Sequence, residues 1–148
     1  MDHMQRLMGW LTWLGVTPFV IALASAAWEQ PVLGTSGIQV FVSYSVVICC
    51  FMAGTLWGQA IYGENRADGM VKALSSNVIA LCVFAALLMP LDDQQMLVIL
   101  SLGYLFALSV EYLHSKPLTG RAKPYLTMRA AVTLVVFCLH CLAFAVLP

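Results

Sequence analysis

Gln95–Arg129 reads QMLVILSLGYLFALSVEYLHSKPLTGRAKPYLTMR. From Gln95 to Tyr112 its sole charge is Glu111, and after it come Lys116, Arg121, Lys123 and Arg129 in quick succession. A helix needs roughly 20 apolar residues to cross ~30 Å of hydrocarbon. A basic cluster just beyond such a run marks the side on which insertion retains the chain in the cytoplasm. The stretch therefore reads as a membrane span ending at the cytoplasmic face.

Working outward, the same alternation covers the chain. Apolar segments run over Leu7–Trp28, Ile38–Tyr62, Met70–Met89, Gln95–Tyr112 and Leu126–Leu147. Arg6 precedes the first, and Arg66 and Lys72 flank the second connection. The first connection, Trp28 to Ser36, the third, Pro90 to Gln94, and the C-terminus carry no Lys or Arg. All seven bases then fall on one side, which predicts a cytoplasmic N-terminus and a periplasmic C-terminus. Set against Asp2, Glu64, Asp68 and Glu111, they leave that side at +3, while Glu29, Asp92 and Asp93 put the other at −3.

Composition agrees. Hydrophobic residues make up 61% and charged ones 9% of the 148 residues, against roughly 25% charged in a soluble domain. Too few polar groups remain to cover a water-facing surface. The expected fold is all-α: a polytopic membrane helix bundle of five transmembrane helices, one domain over residues 1–148. Short connections predict antiparallel neighbours. Pro31, Gly34 and Gly37 punctuate the first connection, Gly63 and Gly69 the second, Pro90 the third, and Pro117, Gly120 and Pro124 the fourth. The expected location is multi-pass in a bacterial inner (cytoplasmic) membrane. Ala24-Ser25-Ala26 after an apolar run leaves a second reading open, in which the first span is a cleaved signal; against it, the run is long for a signal core and Pro18 interrupts it.

Few residues carry chemistry. Gly54 and Gly58 form a G-x-x-x-G with Trp57 beside it, a groove that lets another helix approach closely. It serves either packing within this bundle or contact with a second copy or another membrane subunit. Gly103 with Ala107, and Ser76 with Ala80, are weaker versions. Glu111 lies about one turn from the inner end of its span, and a carboxylate at membrane depth must find a partner. Arg129, entering the next span from the same side, is the candidate. Structural ion pair and proton or anion relay are the alternatives. Gln59, Asn77 and Tyr104 are the other polar groups that a pocket there would draw on. Asn77 reads as helix-to-helix glue.

Cys138-Leu139-His140-Cys141 imitates a metal or redox motif. On a helix His140 points well away from both cysteines, and a zinc site needs three or four converging ligands. The remaining histidines, His3 and His114, belong at the opposite surface. No metal, cofactor or catalytic residue is expected. Signatures for phosphate loops, metalloproteases and serine hydrolases are missing, and no basic domain exists to hold nucleic acid.

Leu14-Gly15-Val16-Thr17-Pro18-Phe19, Phe51-Met52-Ala53-Gly54-Thr55-Leu56-Trp57-Gly58 and Pro124-Tyr125 with Arg129 and Thr133 occur in order. Together they resemble a domain-of-unknown-function family of small inner-membrane proteins related to mitochondrial transmembrane protein 69. The resemblance implies a five-span inner-membrane protein and lends no activity, ligand or catalytic residue. The expectation from the residues is a non-enzymatic accessory or assembly partner of a membrane complex. The alternative is a transporter or binder of a small lipophilic molecule such as a quinone, with Trp57, Gln59, Asn77, Tyr104, Glu111 and Arg129 lining its pocket. The expected partners are the lipid bilayer and other membrane-protein subunits or a second copy.

Overall fold

The computed structural model describes residues 3–63, 65–114 and 122–146. Asp2, Glu64, Lys116 and Arg121, which enter the charge pattern, lie outside the described residues. Six helices follow one another: α1 His3–Leu14, α2 Thr17–Ala27, α3 Gly37–Tyr62, α4 Arg66–Leu88, α5 Asp93–Leu113 and α6 Ala122–Val146. Taking α1 and α2 as one crossing, Arg6–Ala27, five segments are long and apolar enough to span a membrane. The described residues hold no strand beyond the isolated bridge Val32–Thr35. The fold is an all-helical bundle of five membrane-crossing elements.

The first crossing is broken where the sequence reading had one continuous span. Pro18 stands in the first turn of α2, where its missing N–H would have had no partner anyway. The price of the break is a displaced backbone ladder: Phe19 N–H bonds to Val16 rather than to Gly15. Hydrocarbon cannot hydrogen-bond the carbonyl this frees. Tyr44 of α3 does so instead, donating its hydroxyl to the Gly15 oxygen at 2.9 Å. The break points Phe19 into the core, edge-on to Phe41 and Tyr44 at ring separations of 5.1 and 4.8 Å.

Between α2 and α3 the chain reverses through a two-residue turn. Val32 and Thr35 exchange both backbone hydrogen bonds, and Leu33 and Gly34 adopt φ of 51° and 80°. Such tight turns require positive φ at both central positions. Gly37 has a different role from the turn punctuation that its position suggests. A Cβ there would fall 2.3 Å from the Ala26 nitrogen, so only glycine lets α2 and α3 meet. Asn65 caps α4, and Asp92 with Gln95 forms a reciprocal capping box on α5.

α3 is the central element, packing on α2, α4 and α5, while α6 closes against α5 and α2. α1 leans on α6. The resulting surface is inverted relative to a water-soluble protein. Phe51, Leu81, Leu102 and Leu134 are more than half exposed, whereas Ser45, Glu111, Arg129, Thr133 and His140 are buried. Lipid solvates the former and cannot solvate the latter.

Candidate functional site

Three helix faces converge inside the bundle. α5 contributes Leu97, Leu100, Tyr104, Ala107 and Glu111, spaced three and four residues apart and all essentially inaccessible. α3 contributes Phe41, Ser45, Cys49, Met52 and Leu56; α6 contributes Arg129, Thr133, Val136, His140 and Ala143. One helical periodicity thus stacks the apolar core and two polar layers on the same stripe.

The first layer lies at the end of the bundle that bears Arg66 and His114, the basic end. Glu111, 0% exposed, sits 2.9 Å from the Arg129 Nε. Gln59 donates its amide to the other carboxylate oxygen of Glu111 and accepts from the Lys72 Nζ at 3.0 Å. Tyr125 stands beside Glu111 and Gln59. Arg129 also donates to the Thr55 hydroxyl at 2.8 Å and to the Met52 carbonyl at 3.5 Å. Those last two bonds tie α6 to α3 through a backbone carbonyl and a hydroxyl that itself donates to Met52. A lone carboxylate in a span costs a few kcal/mol; here the pair and its neutral neighbours absorb that cost.

The second layer lies deeper. His140 Nδ1 is 2.8 Å from the Val136 carbonyl, which can only accept, so Nδ1 carries the hydrogen. In the neutral ring Nε2 is then an acceptor, and the Ser45 hydroxyl donates to it across 2.7 Å. Tyr104 donates to the Ser45 carbonyl at 2.9 Å. Phe41 and Tyr104 enclose the imidazole edge-on, at 5.0 and 5.4 Å. A Ser–His contact of this length can activate a nucleophile; here Ser45 is 0% exposed, and the contact bonds α3 to α6. The layer joins α3, α5 and α6.

The structure gathers some of the residues singled out by sequence and separates others. Glu111, Arg129 and Gln59 meet in one cluster. Tyr104 does not join them; it belongs to the Ser45–His140 layer, two turns of α5 away. Asn77 is exposed and returns its amide to the Ala73 carbonyl one turn back, so it glues no helices. Trp57 is 47% exposed and faces away from both layers. Gly54 and Gly58 have nothing within 4 Å of an added Cβ, so this bundle does not use their groove. Gly103 is filled from within, against the Cys49 sulfur, as is Gly69, against Ala60. Cys138 and Cys141 are exposed while His140 is buried. Among the described residues no three metal-ligating side chains gather. Lys72 is the cluster member that the sequence marks only as a basic flank of the second connection; the structure places it two turns into α4, facing Gln59 of α3.

Removing one partner of a buried ion pair strands the other, at a cost of about 3–5 kcal/mol in a protein interior and less near a membrane surface. Glu111→Gln and Arg129→Met are each expected to lower the melting temperature in detergent. The double variant is expected to melt closer to the wild type than the sum of the two losses. Strict additivity in that double-mutant cycle would show that the two groups do not interact.

Comparison with curated proteins and with solved structures gives no match. A family model described as "Protein of unknown function (DUF3429)" matches residues 4–145. That span takes in both polar layers and all but the last residue of the crossing elements, and the chain belongs to this family of unknown function.

Proposed function

We propose that the protein works through its membrane-embedded surface, as a non-enzymatic accessory or assembly partner of a larger membrane complex. A partner's transmembrane helix would seat in the groove of Gly54 and Gly58, with Trp57 as its apolar flank. One contrast carries this reading. Gly37, Gly69 and Gly103 are filled by the chain's own helices, whereas Gly54 and Gly58 open onto empty space. Close helix approach in lipid depends on small residues, because hydrocarbon supplies no hydrophobic drive.

The quinone-type alternative loses support. Of its six lining residues, Gln59, Glu111 and Arg129 are packed against one another, Trp57 and Asn77 face outward, and Tyr104 lies in the other layer. The basic end is assigned to the cytoplasm of a bacterial inner membrane, on the placement of Lys and Arg. Kinship with mitochondrial transmembrane protein 69, suggested by the Pro18-Phe19 and Gly54–Gly58 motifs, belongs to the same proposal.

Gly54→Leu and Gly58→Leu are expected to leave the melting temperature of the isolated chain within a few degrees of wild type, yet abolish co-purification of its partner from mild detergent. Ala53→Leu, aimed into the core, and Gly37→Ala, which collides with α2, are expected to destabilise the chain itself by ~1–3 kcal/mol. Unchanged co-purification with both glycines replaced would refute the groove. For orientation, a cysteine placed in the Lys116–Lys123 connection should react with impermeant maleimide only in inside-out vesicles; reaction in intact cells would reverse the assignment.

A further inference from the structure

We infer that the basic end of the bundle holds a phosphate-recognising site, built around Lys72 and suited to the headgroup of an anionic phospholipid. Lys72 is only 9% exposed. Its ammonium carries three N–H donors, and its one partner among the described residues is the neutral Gln59 oxygen at 3.0 Å. No carboxylate among the described residues lies within ion-pair distance of it: Glu111 is committed to Arg129 and Gln59, and Asp68 to His114 and Asn65. A buried charge without a counter-ion is costly. Two of its donors are left for an anion.

The space for one is present. A cavity of about 240 Å³ opens at this end, lined by Gln59, Tyr62, Asn65, Asp68, Lys72 and His114. It lies where α3 ends, α4 begins and α5 ends. Lys72 sits two turns into α4, and helical side chains tilt toward the N-terminus, so its ammonium reaches back toward headgroup depth. The start of α4 adds the positive end of a 23-residue helix. Asn65, its cap, spends one amide hydrogen on Asp68 and has a second to give. Asp68 keeps a negative charge at this wall, and its oxygens orient two donors: Oδ1 accepts from His114 at 2.9 Å and Oδ2 from Asn65 at 2.6 Å. Those bonds hold the His114 ring and the Asn65 amide at the cavity wall. The chemistry recognised is a phosphate mono- or diester; a lipid brings it along the bilayer surface, whereas free phosphate would come from water.

The test titrates the full chain in mild detergent with short-chain phosphatidylglycerol, short-chain phosphatidylcholine and inorganic phosphate. The readouts are melting temperature and lipid retained in native mass spectrometry. Phosphatidylglycerol is expected to stabilise the wild type and remain bound, with phosphatidylcholine at least several-fold weaker. Lys72→Met and Lys72→Gln should weaken that binding about tenfold, the loss expected for one charge-assisted hydrogen bond. Lys72→Arg should restore most of it, and Arg66→Gln, an exposed change at the same end, should leave it intact. Stabilisation by inorganic phosphate that competes with phosphatidylglycerol and needs Lys72 would assign the site to free phosphate. Binding of phosphatidylglycerol that is equal in wild type and both neutral variants, or equal to that of phosphatidylcholine, overturns the inference.

Discussion

Hydrocarbon offers a polar group nothing to bond with, and that single fact organises this molecule. Each backbone amide or carbonyl and each buried side chain must find its partner within the protein. Where Pro18 interrupts the first crossing, Tyr44 supplies a hydroxyl to the Gly15 carbonyl. Where Glu111 enters the bundle, Arg129, Gln59 and Tyr125 surround it. Where His140 is buried within α6, Ser45 and the Val136 carbonyl take up both ring nitrogens. Apart from the Val136 bond within α6, these are inter-helix bonds as well as local repairs, so the polar layers double as the register marks of the bundle.

Much of this was legible in the sequence. Apolar length and the placement of Lys and Arg give five crossings, and the helices begin and end within about four residues of the expected limits. The α5–α6 neighbourhood follows from a short connection, which is why Arg129 stood out as the partner of Glu111. Less legible were features that depend on which way a helix faces. Gly37 and Gly54 are both glycines in one helix; one touches Ala26 and the other faces open space. Asn77 and Ser45 are both polar and mid-span, yet Asn77 turns back on its own helix while Ser45 meets His140. Periodicity gives the angle between residues, and packing decides which angle is inside.

The deeper polar layer shows the same limit from another side. Cys138-Leu139-His140-Cys141 draws attention as a motif, but the structure splits it, sending the histidine inward and both cysteines outward. Its companions, Ser45 and Tyr104, lie 95 and 36 residues away in sequence, on helices whose rotation no local pattern states. The functional surfaces divide correspondingly. Glu111, Arg129 and Gln59 are spent on one another, as are Ser45, Tyr104 and His140, whereas the outward groove of α3 and the cavity beside Lys72 still have something to offer.

Everything rests on lipid as the solvent of the outer face. Nitroxide labels at Phe51, Leu81, Leu102 and Leu134, placed one at a time in the chain reconstituted into vesicles, test that by electron paramagnetic resonance. Relaxation of all four by dissolved oxygen, with little effect of a water-soluble nickel chelate, is the expected result. Ready access of the nickel chelate to those four sites would mean that water bathes them, and the architecture described here would be wrong.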